Sequence, residues 1–204
     1  MGNSPTLFIS YVNGPDLLLD AYNSYKKYFD VRILNNSLSP LGEEYEKAEV
    51  TNMRVSLTTG QSFNWFRSVA MEEEMKYFFW SHHDCIVTPE QVERTKDYVQ
   101  SLEDPKWGMV FTAYDVFCAF NTQALREVGG WDTLRFQYYS GDVDLYRRLE
   151  EAGWNKHDIG GEGVTHYANA TTERDEERLK VIPHISNLEA QLYQHKWDPD
   201  FSTQ

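Results

Sequence analysis

The densest concentration of chemistry in this chain is Ser81, His82, His83 and Asp84, which directly follow the apolar run Tyr77 to Trp80. Four bulky apolar residues in a row predict a strand buried on both faces. Two imidazoles and a carboxylate at its C-terminal end would face a metal or a ligand, because ligands of open α/β sheets collect outside the carboxyl ends of the strands. The same residues also suit a solvated turn before Pro89. A second concentration is FQYYSGDVDLYRRL, residues 136–149, where an aromatic run meets Ser140 and Gly141 and a helix opens with Asp142 and Asp144 in its first turn. Carboxylates are favoured there by the helix dipole. His166 follows a glycine-rich stretch and, taken alone, reads as a hydrogen-bonded surface histidine.

Strands alternating with helices must position these groups. Thr6 to Val12 predicts a buried strand closed by Asn13, Gly14 and Pro15. Asp16 is then expected to cap a helix, in which Leu17, Leu18, Ala21, Tyr22, Tyr25 and Phe29 form one apolar face. Val31 to Leu34 predicts a second strand, ended by Asn35, Asn36 and Ser37, which favour turns and offer amide hydrogen bonds. Leu38 to Val50 reads as a Glu-rich loop with a short helical piece, Met53 to Leu57 as a third strand, and Ser62 to Glu74 as a helix bearing Arg67. Thr88 caps a helix over Pro89 to Leu102, with Pro89 at its first position. Further strands are expected over 108–112, 115–121 and 156–159, helices over 122–128 and from Asp142, a turn over 129–132, a charged surface segment over 171–180 and a closing helix over 185–193. This alternation predicts an α/β chain with a mixed, mainly parallel sheet flanked by helices on both faces.

A chain of 204 residues, 15% of them aromatic, can bury one sizeable core, so a single domain is expected. The formal charge of −13 argues against nucleic acid or an anionic membrane as partner. Any phosphate must therefore be held by local donors or a metal. No apolar run approaches the length of a membrane span, and the N-terminus lacks the basic and apolar regions of a signal peptide. Gly2 with Thr6 makes a weak acylation match, set aside because Leu7 to Val12 already reads as core. Cys85 and Cys118, with no CxxC spacing, read as reduced thiols of a cytoplasmic protein.

Taken together, these pieces resemble the GT-A fold (Rossmann-like, nucleotide-binding) glycosyltransferases that use nucleotide sugars, specifically the inverting family-2-like group, over roughly Leu7 to Trp197. The resemblance implies a nucleotide-binding half, about 1–112, and an acceptor-binding half, about 113–204. It places Tyr11 and Asn13 at the nucleobase, Asn36 near the base and ribose, and Arg67 and His83 on the nucleotide side. The family's DXD motif falls on His82, His83 and Asp84, with His82 in place of the first acid. Asp84, His82 and a late histidine, His166, are then the expected ligands of a divalent cation, Mn²⁺ favoured over Mg²⁺ because imidazole prefers softer ions. GGWDTLRFQYYSGDVDLYRRLEEAGW is similar to the family's acceptor turn and ED motif. It makes Asp142 the catalytic base and Trp131 and Asp132 the acceptor wall, with Gly141 replacing the first acid.

The implied reaction moves a hexose or deoxyhexose from a nucleoside-diphosphate sugar, UDP-glucose being the favoured type, to a glycan hydroxyl. The chain is also similar to glycosyltransferase domains within larger proteins of alga-infecting chlorella viruses, which would add other domains of a longer chain as partners and the host cytoplasm as location. Two rival readings remain. A sugar-phosphate nucleotidyltransferase needs a glycine-rich basic loop after the first strand, which Asn13, Gly14, Pro15 and Asp16 do not supply. A non-catalytic nucleotide-sugar or glycan-binding module would tolerate the departures at His82 and Gly141.

Overall fold

The computed structural model describes residues 4–168, 170 and 174–198. The elements of the described residues follow in the order β1 (Thr6–Tyr11), α1 (Pro15–Tyr25), β2 (Asp30–Asn35), β3 (Glu49–Asn52), α2 (Thr59–Glu72), β4 (Tyr77–His82), β5 (Cys85–Val87), α3 (Pro89–Ser101), β6 (Trp107–Thr112), β7 (Tyr114–Asn121), α4 (Thr122–Val128), α5 (Gly141–Glu151), β8 (Asn155–Asp158), β9 (Val164–His166) and α6 (Glu176–Trp197). Seven of the strands form one sheet in the order β3-β2-β1-β4-β7-β6-β8. Only β7 runs against its neighbours, antiparallel to both β4 and β6. The sheet is thus mixed and mainly parallel, as the alternation of elements predicts.

Side-chain alternation divides the core between the two faces of the sheet. Leu7, Ile9 and Phe79 pack with Leu18, Tyr22 and Tyr25 of α1 and with Val92 and Val99 of α3. Phe8, Phe78 and Trp80 point the other way, onto Phe63 and Phe66 of α2, Leu125 of α4 and Leu145 of α5. This two-sided burial is why β4 reads as an unbroken apolar run. β1, β2 and β4 are parallel neighbours, with Ser10 level with His82 and Tyr11 level with Asn35. Their carboxyl ends, and the polar residues that follow, therefore open at one edge.

Several boundaries differ from the sequence reading, each for a physical reason. Gly14, in the left-handed region at φ 75°, occupies the N-cap of α1, so Asp16 lies within the first turn and pairs with Arg174 instead of capping. The third strand is Glu49–Asn52, not 53–57. Arg32 meets Glu49, and Asn35 Nδ2 donates to Asn52 Oδ1 at 2.7 Å, so polar pairs set this edge register where an apolar run was expected. α2 starts at Thr59 because Thr58 and Gln61 form a reciprocal capping box. α6 is far longer than the expected closing helix. The Asp175 side chain accepts from the Glu177 and Arg178 N–H groups, and the helix continues through Pro183 to Trp197. The Gly2 acylation match and residues 171–173 of the charged segment lie outside the described residues.

Candidate functional site

The strand-end cluster is assembled by a long-range pairing. β5 and β9 form a two-stranded antiparallel ribbon in which Cys85 is level with His166, and Tyr167 N–H donates to Asp84 O at 3.0 Å. The ribbon brings His166 Nε2 to 3.2 Å from Asp84 Oδ1, and sets the His166 ring edge-on to that of His82, with centroids 5.3 Å apart. One ligand atom from each of His82, Asp84 and His166 lies within 4.8 Å of the others. Burial pushes the His82 imidazole down to about 4, with the Asp84 charge opposing. His82 is therefore neutral, with a free lone pair, over the whole physiological range. For Asp84 burial favours the neutral acid, but the hydrogen bond from His166 and the three surrounding imidazoles outweigh it and hold the carboxyl below its ordinary value. Two imidazole nitrogens with a carboxylate oxygen are a donor set that suits a divalent cation of the first transition row.

His83 faces differently. Its Nδ1–H donates to the Ser10 carbonyl at 3.2 Å, its ring meets Tyr11 edge-on, and it also contacts the backbone of Asn13. It locks the end of β1 to the end of β4 while lining the cleft. Tyr11 is buried in the core behind it. Asn36 is buried too. Its Nδ2 donates to Ser10 Oγ and Ser62 Oγ, and its Oδ1 accepts from Leu57 N–H, which holds residues 53–58 over the cleft that Asn36 lines. Arg67 is not brought to this edge. Its Nε donates to Leu125 O at 3.0 Å, tying α2 to α4, and neither half of the cleft includes it.

The cleft has two halves that share a wall. One, about 280 Å³, is lined by Ser10, Val12, Asn36, His83, Asp84 and Arg178. The other, about 810 Å³, is lined by Trp131, Tyr114, Asp115, Ser140 and Asp142. His82, His166, Tyr138 and Tyr139 line both, so the candidate ligand cluster sits at their junction.

In the larger half, two tyrosine–aspartate pairs cross between β7 and α5. Tyr114 Oη donates to Asp142 Oδ2 at 2.9 Å, and Tyr146 Oη donates to Asp115 Oδ2 at 2.7 Å. Tyr114 and Asp115 are consecutive on β7, while Asp142 and Tyr146 are one turn apart on α5. Tyr114 and Ser140 both adopt left-handed φ, 56° and 55°, a conformation that is rare for side-chain-bearing residues and concentrates at functional sites. Asp115 is buried, and burial followed by the nearby Asp142 charge pushes its carboxyl up to about 7 despite the bond from Tyr146. The sequence reading passed over Asp115. Its available signal was one carboxylate opening an otherwise apolar strand, DVFCAFN.

Trp131 explains why residue 141 is glycine. A Cβ there would lie 2.7 Å from Trp131 Cε3, and one at Gly60 would meet the same ring at 2.7 Å. The acid expected at position 141 has no room. Asp132 lines neither half, and its Oδ2 accepts from Arg135 at 2.8 Å and Lys196 at 3.2 Å. Asp144 is fully buried and receives Arg148, Lys196 and the Trp197 indole N–H, so it anchors the end of α6. Glu189 of α6 is a further residue the sequence reading missed. Its buried carboxylate accepts from the backbone N–H groups of Gln137, Tyr138 and Tyr139, and so holds the aromatic loop of the shared wall.

No family model and no curated protein matches this sequence. Solved structures do match. Staphylococcus aureus TarS superposes with a TM-score of 0.58 at 10% identity, covering 87% of this chain and 38% of that one. A mutant of Drosophila β1,4-galactosyltransferase 7, solved with manganese, UDP-Gal and xylobiose, superposes with a TM-score of 0.53 at 10% identity, covering 83% of this chain and 72% of that one. A cytidylyltransferase from Leptospira borgpetersenii gives 0.53 at 10% identity and covers both chains fully. The chain spans about half or less of the TarS chains it matches. No helix among the described residues is long and apolar enough to cross a membrane. The chain shares with these structures the GT-A-type fold, a mixed, mainly parallel sheet flanked by helices.

Proposed function

We propose that this chain is a divalent-cation-dependent, inverting glycosyltransferase that moves a hexose or deoxyhexose from a nucleoside-diphosphate sugar to a hydroxyl of a glycan. The observation that carries this reading is the shared wall. A two-imidazole, one-carboxylate cluster stands between a pocket at the strand ends and an aromatic cavity that contains Asp142. The smaller half would take the nucleotide, with residues 1–112 as its framework, and the larger half would take the acceptor, framed by 113–204. Within that single domain Tyr11 and Asn13 act by shaping the loop that receives the base, while His83 and Asn36 line it. A UDP-sugar of the UDP-glucose type is the favoured donor.

His82, Asp84 and His166 would hold the cation, Mn²⁺ in preference to Mg²⁺ given two nitrogen ligands. When bound, the cation neutralises charge on the departing diphosphate. The rest is done by side chains. Trp131, Tyr138 and Tyr139 position the acceptor ring, and the Tyr114 hydroxyl steers the Asp142 carboxylate. As the acceptor oxygen bonds the anomeric carbon, its proton passes to Asp142. The bond from that carbon to the phosphate oxygen breaks, and its electron pair leaves with the diphosphate. Attack opposite to the leaving group inverts the anomeric centre. We place this activity in the cytoplasm, the host's if the chain is one domain of a longer viral protein.

The full coverage of a cytidylyltransferase favours one rival, a sugar-phosphate nucleotidyltransferase. The loop after β1 weighs against it, since Asn13, Gly14, Pro15 and Asp16 include no lysine or arginine, and Arg174, beside Gly14, is held by Asp16. A panel of nucleotide sugars, incubated with the chain and Mn²⁺ or with chelator, tests the proposal. Release of nucleoside diphosphate that requires the cation is expected. Pyrophosphate release from a nucleoside triphosphate and a sugar phosphate would favour the rival, and binding without turnover would favour a non-catalytic module.

A further inference from the structure

One stripe of α6 runs along both halves of the cleft. Arg178 and Ile182 line the smaller half, Ser186 lines the larger, and Glu189 holds the aromatic loop of the wall between them. Spacings of four, four and three residues place these side chains on one helix face. The far end of the helix is fixed, because Lys196 and the Trp197 indole both reach buried Asp144. Arg178 is the sole lysine or arginine among the described residues that lines either half. The steps of sugar transfer described above leave its guanidinium without a task.

Resting on the glycosyltransferase reading, we infer that Arg178 binds the diphosphate of the donor, reaching it from α6 alongside the cation. A divalent cation held by Asp84 and two imidazoles, which ligate in their neutral form, brings a single net positive charge. The diphosphate of a nucleotide sugar is a dianion. The cation complex alone therefore leaves negative charge unbalanced, in a chain whose formal charge is already −13. Arg178 supplies the balance. Arginine suits the task because its planar fork donates to two phosphate oxygens at once and keeps its charge at physiological pH. Asp175 is a weak competitor. It meets Arg178 at Nε, 3.3 Å away, with the two side chains 35% and 39% exposed, and an ion pair that open to water contributes little. The other oxygen of Asp175 is occupied as the cap of α6, accepting from the Glu177 and Arg178 N–H groups. The terminal nitrogens of the fork are the ones that would meet phosphate.

Calorimetric titration of UDP into the full chain with Mn²⁺ tests the inference. Arg178→Gln should weaken UDP by at least about tenfold, the loss expected when a hydrogen-bonded charge pair is removed. Arg178→Lys should recover part of that affinity, since it restores the charge without the fork. Uridine, which has no phosphate, should bind wild type and Arg178→Gln alike when followed by saturation-transfer NMR. Asp175→Asn keeps a good cap but removes the ion pair, and should bind UDP at least as tightly as wild type. UDP affinity of Arg178→Gln within about twofold of wild type overturns the inference. So does an equal loss of uridine and UDP, or an equal loss in Asp175→Asn, either of which makes Arg178 a support of α6 and nothing more. A chain that binds UDP through Arg178 but moves no sugar from UDP-glucose sinks the transferase reading and sustains the inference. Sugar transfer with UDP affinity unchanged in Arg178→Gln sinks the inference alone.

Discussion

The Tyr114 hydroxyl donates to Asp142 Oδ2 at 2.9 Å across the gap between β7 and α5, from a backbone held in the left-handed region at φ 56°. A strained strand residue therefore aims the carboxylate that the proposed mechanism uses as its base, and it leaves Oδ1 for a substrate proton.

Replacing Asp142 by Asn preserves shape and an oxygen for Tyr114 to bond, but removes the charge that accepts the proton. Sugar transfer is expected to fall by at least ~10²-fold. Donor affinity and melting temperature should stay near wild type, because Asp142 lines the larger half alone. Wild-type transfer by the variant removes the base assignment, and loss of donor binding moves the residue to the nucleotide side.

Asp84→Ala should abolish the cation dependence of donor binding, measured by titrating UDP-glucose calorimetrically with Mn²⁺ and again in chelator. Asp84 is the sole carboxylate of the cluster, and its removal leaves two imidazoles. His82→Asp, which replaces a nitrogen ligand by oxygen, should shift preference towards Mg²⁺. Unchanged cation preference in that variant would mean that His82 does not ligate.

Glu189→Ala removes a buried acceptor of three backbone N–H groups, and should cost roughly 3 kcal/mol or more of stability in urea unfolding. Glu189→Gln, which keeps one acceptor oxygen, should cost clearly less. Both should weaken donor and acceptor binding together, because the loop that Glu189 holds lines both halves of the cleft. A stability loss with both affinities unchanged would show that the loop keeps its shape without α6.

Asp115 makes a prediction about pH. Its carboxyl rises from an ordinary 3.8 to about 7 in the fold, so well below pH 3.8 both folded and unfolded chains hold the proton and its contribution to stability is complete. As pH climbs towards 7 the unfolded chain releases that proton while the fold retains it, and stability is lost. Asp115→Asn has no proton to lose. Its stability relative to wild type should improve by of order 1–4 kcal/mol between pH 4 and pH 7 and then level off. Melting temperatures of the two proteins across that range check the sign, and a constant difference contradicts it.

Local pattern determined a good deal of this protein. The two-faced apolar run of β4, the apolar face of α1 and the Thr88–Pro89 start of α3 are each written within a dozen residues, and the structure contains all three. The polar cluster after β4 and the helix that opens with Asp142 were legible for the same reason, because strand ends and helix starts carry their own composition. Tertiary structure decided what these pieces meet. That His166 reaches Asp84 depends on β5 and β9 pairing across nearly eighty residues, which neither three-residue strand signals by itself. Asp115 and Tyr114 acquire a role only because α5 packs against β7, and Glu189 only because α6 runs back along the cleft to residues 137–139. Arg67, aromatic-flanked and basic, was drawn by packing to Leu125 and away from the site. Periodicity reports which face of an element is buried, but a hydrogen-bond partner or a ligand's neighbour is a long-range choice, made when burial forces each polar group to find a partner.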